Sequence, residues 1–121
     1  MNKRERVFNA MDKKPVDHVP VGFWYHFDGE EALGEPCVQA HLRYVRDVDT
    51  DLLKIMCDGY FSYPVSEEIE SADDWKKLKP LGADHPFIRE QVERARRIVQ
   101  EIGQEMPVFY NVFAPFSSIR F

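Results

Sequence analysis

The sequence predicts an α/β protein whose strands run parallel and are joined by helical crossovers. Three observations predict it. Apolar runs over 19–27, 51–57 and 107–113 are rich in β-branched and aromatic residues, as strands buried on both faces are. Segments with helical apolar spacing lie between them. The central run, Asp51-Leu-Leu-Lys-Ile-Met-Cys-Asp58-Gly59-Tyr60, ends abruptly in an acid and a glycine, which is how a buried parallel strand reads when its carboxyl end opens onto a site.

Each element has a local cause. Asn2 can cap a first helix in which Val7, Phe8 and Met11 form the apolar side, with Arg4, Glu5, Arg6 and Asn9 opposite. Pro15 ends it. The strand over Val19–Phe27 tolerates Pro20 near its start and places Phe23, Tyr25 and Phe27 on one face and Gly22, Trp24 and His26 on the other. After Gly34-Glu35-Pro36 a helix carries Val38, Leu42 and Val45 on one stripe. The central strand follows, and then an aromatic loop with Tyr60, Phe61 and Tyr63. Ser71 and Asp74 have capping-box spacing for a short helix anchored by Trp75 and Leu78. His85-Pro86 opens a long helix with an apolar stripe of Ile88, Val92, Ala95, Val99 and Ile102. Its solvated face is Arg89, Glu90, Glu93, Arg94, Arg97 and Glu101, and Gly103 stops it. The third strand, 107–113, leads into what reads as another helix start at 114–118. A parallel strand needs a covering crossover there, so residues 1–121 read as the N-terminal part of something longer, within one domain.

Composition narrows the partners. Sixteen basic against 21 acidic residues give a net charge of −5, and the pI is near 5.3. That balance argues against nucleic acid and anionic membrane surfaces. No apolar run approaches the ~20 residues of a membrane span, and the charged N-terminus has no apolar stretch behind it, so the cytoplasm is expected. Cys37 and Cys57 have neither disulfide-framework nor metal-ligand spacing and read as reduced, half-buried thiols.

The candidate functional residues gather at strand ends. Asp58 is the candidate catalytic acid at the carboxyl edge of the sheet; Asp-Gly is also common turn punctuation, and an acid in that pair usually caps or turns the chain. Tyr60, with Phe61 and Tyr63, can line a pocket for a flat or apolar ligand, or can pack over the strand ends. His26 can meet a substrate, or can be a packed, hydrogen-bonded residue of an aromatic strand. His18, His41 and His85 suggest no role, and no metal ligands stand out.

The run Arg4-Glu5-Arg6-Val7 … Val16-Asp17-His18-Val19-Pro20-Val21, the strand closing on Cys57-Asp58, Ala72-Asp73-Asp74-Trp75 and Phe113-Ala114-Pro115-Phe116-Ser117 resemble the uroporphyrinogen decarboxylase superfamily, in the family's order. The resemblance implies a (β/α)8 TIM barrel of which these residues form the first three βα units. It also implies that Asp58 stabilises the positive charge developing on a substrate at the barrel's C-terminal face, with Tyr25 and His26 lining the site. Where the porphyrin-biosynthesis branch has two substrate-clamping arginines, this sequence has Tyr25 and Gly29. Neither can pair bidentately with a carboxylate, so porphyrinogen decarboxylation fits poorly. The superfamily's other branch implies methyl transfer from a corrinoid protein, with zinc held by residues beyond Phe121; no cofactor is expected within this segment. The partners implied are a small-molecule substrate and either a second copy or the rest of the barrel. From another functional class stands a non-catalytic segment that persists by self-association through its exposed strand edges.

Overall fold

The structure is a computed structural model and describes residues 1–59, 63–64 and 69–113. Along them lie helix α1 (Lys3–Met11), helix α2 (Gly34–Val48), strand β1 (Leu53–Ile55), helix α3 (Pro86–Ile102) and strand β2 (Val108–Tyr110), with 3-10 turns at Gly29–Ala32 and Asp74–Lys77. The fold of the described residues is thus mixed α/β, with three α-helices and a two-stranded sheet. β1 and β2 are parallel, with Leu53 opposite Val108 and Ile55 opposite Tyr110. The ladder continues at both ends, through Leu53 N–H donating to Pro107 and Asn111 N–H donating to Ile55. Both strands are shorter than their apolar runs.

The helices cover one face of this sheet. Val38, Leu42 and Val45 of α2 and Ile98 and Ile102 of α3 pack with Leu53, Ile55 and Met106 into one buried cluster. The α2 stripe therefore stands as its spacing predicts. Lys54 of β1, and Leu52 just before the strand, are only partly covered, and Phe109, opposite Lys54, is exposed. Parallel sheets are ordinarily buried on both faces; among the described residues this one is not.

Among the described residues the expected strand over 19–27 is a segment without a ladder. A single backbone bond, Asp51 N–H to the Val21 carbonyl at 2.8 Å, ties it to the β1 chain. The cause lies in the side chains: Pro20 has no N–H, the Val21 N–H donates to the Asp51 carboxylate at 2.9 Å, and the Phe27 N–H donates to the Asp58 carboxylate at 3.0 Å. Two acids have taken donors a ladder would use. The segment nevertheless runs in the same direction as β1, its start held at Asp51 and its end at Asp58. Alternation also survives. Tyr25 and Phe27 reach Tyr44 on α2, with Tyr25 stacked on it at 6.3 Å and Phe27 edge-on at 6.1 Å, whereas Trp24 meets Lys54, whose Nζ lies 4.3 Å from the ring centroid.

Two helical faces differ from their apolar patterns. In α1 Asn2 does cap, its side chain accepting the Glu5 N–H at 2.7 Å, but Phe8 and Met11 are exposed and Arg6 is buried with Val7. In α3 Val92 is 62% exposed and Val99 is exposed too, whereas Gln91 and Arg94 are buried beside Ile98 and Ile102. Arg94, expected on the solvated face, is 2% exposed. Its Nη1 donates to the Ala32 carbonyl at 2.7 Å, and Nη2 donates to Gln91 Oε1. The inward register is fixed by these polar contacts to the chain before α2, and a side chain able to find buried partners can displace a valine from the core.

The Ser71 N–H and hydroxyl both donate to Asp74 Oδ2, at 2.8 and 2.7 Å, the reach-back half of a capping box. Lys77 first, then Ser71, hold the Asp74 carboxyl down at about 2. Instead of a helix, a single 3-10 turn follows before Pro80. The expected helix start at 114–118 lies outside the described residues. No helix among the described residues is long and apolar enough to cross a membrane.

Candidate functional site

Asp58 lies three residues past the last residue of β1, at the sheet's carboxyl end, and is 8% exposed. Cys57 before it is fully buried and its Sγ accepts from Asn111 Nδ2 at 3.2 Å, which links the ends of the two strands. Both carboxylate oxygens of Asp58 have donors. Oδ2 takes the Phe27 N–H, and Oδ1 lies 2.7 Å from His26 Nδ1. The carboxylate thus does structural service for the extended segment and fixes one edge of an imidazole, so the turn and site alternatives meet in one residue.

The His26 side chain is 60% exposed beyond that contact. Of the other sequence-predicted site residues, Tyr25 is not brought to Asp58. It lies on the helix-facing side of the segment, edge-on to Phe27 at 5.5 Å and stacked on Tyr44. Tyr60 and Phe61 lie outside the described residues. Tyr63, the third loop aromatic, packs edge-on against Phe87 at 5.4 Å. Gly29, at a substrate-clamp position by resemblance, opens a 3-10 turn with φ of 58°.

Beneath the site lies a residue to which sequence assigned nothing. His41, fully buried on α2, donates from Nδ1 to the Cys37 carbonyl at 2.8 Å and accepts the Met56 N–H on Nε2 at 3.1 Å. Both bonds form together only with a neutral ring protonated on Nδ1. Burial pushes its pKa down, against the pull of the Cys37 carbonyl. The Phe27 ring lies 4.5 Å from it, so His41 joins α2, the end of β1 and the segment that carries His26. Its position one residue before Leu42 in the α2 stripe is the signal that could have found it. Cys37 and Cys57 are free thiols, both buried rather than half-buried, and burial raises the Cys37 pKa. Among the described residues no three of His, Cys, Asp and Glu gather as a metal site.

Gly59 is where the turn after Asp58 meets α3. A Cβ there would stand 2.6 Å from Leu33 Cδ2, 3.0 Å from Gln91 Nε2 and 3.1 Å from Arg94 Nη1. Three side chains close on one backbone position, and two of them are committed to hydrogen bonds. Gly59→Ala is therefore expected to cost about 1–3 kcal/mol by overpacking, read as a lower urea midpoint. A cost under a few tenths would mean that these side chains move aside freely.

Compared with models of known families, with curated proteins and with solved structures, the chain matches none.

Proposed function

We propose that these residues form the N-terminal part of a uroporphyrinogen decarboxylase-like enzyme, the first units of a (β/α)8 barrel acting in the cytoplasm on a small-molecule substrate. The observation that carries this is the placement of buried Asp58 and its His26 at the carboxyl end of a parallel strand, where barrels of this kind keep their chemistry. The one-sided helical cover agrees with it. In a closed barrel the helices ring the outside, and the face bearing Trp24, Lys54 and Phe109 would be the interior. On the family's pattern Asp58 would then polarise the substrate, directly or through the His26 ring it holds. Barrel sites draw on several strands, so residues 1–121 alone are expected to be inactive.

Within the superfamily the chain fits a diverged member better than a porphyrinogen decarboxylase. Tyr25 and Gly29 supply no cation where that branch clamps carboxylates, and Tyr25 packs on Tyr44. Methyl transfer linked to a corrinoid protein is the alternative, with zinc held outside these residues. The full gene product, incubated with uroporphyrinogen, is expected to release no coproporphyrinogen above background; ordinary turnover would overturn the divergence and restore porphyrin biosynthesis.

The exposed run Val19, Val21, Phe23, Trp24 and Tyr25 favours a second class of function, a non-catalytic segment that self-associates. Sedimentation of residues 1–121 decides it: a monomer with cooperative melting excludes self-association.

A further inference from the structure

We propose that His26, rather than Asp58, is the group of this site that meets the substrate, and that Asp58 acts through it as a positioning residue. This rests on placing the site at the carboxyl end of β1, as above, but not on the family.

A carboxylate that is to touch a ligand must offer it an oxygen. Asp58 is buried and holds the Phe27 N–H with one oxygen and His26 Nδ1 with the other, at 3.0 and 2.7 Å. An ionised carboxylate only accepts, so the short contact makes Nδ1 the donor. In the neutral ring the lone pair is then on Nε2. That atom makes no hydrogen bond among the described residues, on a side chain 60% exposed. The ring is thus held at one edge by a buried anion and open at the other, the arrangement by which a second group fixes the tautomer of a general base. The Phe27 N–H bond, on the next residue of the chain, fixes the carboxylate itself and removes the freedom that would let the pair drift apart.

The ligand this fits is a small molecule with a weakly acidic X–H bond, such as a thiol or a carbon acid. The X–H bond breaks with its electron pair left on X, and the proton goes to the Nε2 lone pair. The imidazolium charge faces Asp58 through Nδ1–H. The same proton returns from Nε2 in the reverse step, and nothing is oxidised or reduced.

His18 is the internal control. It is 57% exposed and also stands near two carboxylates, but at 3.5 Å from Asp17 and 3.7 Å from Asp51, beyond the short contact of His26. Ring-nitrogen NMR of the full chain at about pH 8, above the ordinary histidine range, is expected to show His26 protonated on Nδ1. Asp58→Asn keeps an acceptor for the Phe27 N–H but presents an amide donor to Nδ1, so the proton should move to Nε2. Diethyl pyrocarbonate should acylate His26 at Nε2 about tenfold faster than His18, and Asp58→Asn should remove most of that advantage. A merely structural Asp58 would change stability and leave tautomer and relative acylation rate where they were. An Nε2–H ring in the unsubstituted chain, an unchanged tautomer in Asp58→Asn, or equal acylation of His26 and His18 would each overturn the proposal. None of these readouts depends on turnover, so loss of the family assignment would leave them unaffected.

Discussion

His41→Ala is expected to destabilise the chain by about 3–5 kcal/mol, from an imidazole-sized cavity together with an orphaned backbone donor. The cavity opens between α2 and the Phe27 ring, and the orphan is the Met56 N–H, immediately after β1. His41 and Met56 are both buried, so bulk solvent does not reach the orphaned donor. Urea unfolding reads the effect as a lower midpoint at unchanged slope. His41→Leu, which fills the space without accepting the N–H, should recover the cavity part and leave about 1–3 kcal/mol. If His41→Ala costs less than about 1 kcal/mol, the ring is not what anchors the strand end to α2. Because Asp58 is held two residues beyond Met56, His41→Ala is also expected to broaden the His26 ring signals, which joins the packing of α2 to the geometry of the site.

The order of elements was legible because it follows from apolar spacing: β1, α3 and β2 lie within the runs that predicted them, α2 does so apart from an earlier start that takes in Gly34-Glu35-Pro36, and the parallel pairing follows from helices between strands. What spacing could not show was where polar side chains would satisfy the backbone. Asp51 and Asp58 convert an expected strand over 19–27 into a segment bonded through carboxylates. Arg94 and Gln91 turn α3 away from its valine stripe by binding each other and the Ala32 carbonyl. Arg6 is the third case. On the candidate site, Asp58 and His26 were both legible separately, one from the strand's acidic end and one from the aromatic run. Their contact was not, since 32 residues separate them and only the parallel alignment of 19–27 with the β1 chain brings them together. Tyr25 went to the other face for the same reason of alternation.

The largest dependence on acid should come from the opposite end of β1. Arg6 donates to Asp17 through Nε and Nη2, at 2.7 and 2.8 Å, and to Asp51 through Nη1 at 2.6 Å, while Asp51 also accepts the Val21 N–H. One guanidinium thus ties α1, the start of the extended segment and the start of the β1 chain. The Arg6 hydrogen bond holds the Asp17 carboxyl well below its ordinary range. For Asp51 burial works against the charge, but the Val21 N–H and Arg6 outweigh it and the pKa is lowered. Both acids therefore bind protons less readily folded than unfolded, and the stability they contribute is complete above the unfolded value near 3.8 and is lost as pH falls through the folded ones. His41, lowered from 6.5, adds a loss of the same sign that begins earlier, because below that pH the unfolded chain takes up a proton the buried ring refuses. The melting temperature should accordingly decline in two steps, a shallow one below about pH 6.5 and a steep one below about pH 4. Asp51→Ala should lower the melting temperature at neutral pH by roughly 10 °C, since it leaves both Arg6 Nη1 and the Val21 N–H without their acceptor in a buried place, and should flatten the steep step; a steep step of unchanged size would place the acid sensitivity elsewhere. His41→Leu should abolish the shallow step alone, which separates the two ends of β1 in a single pH series.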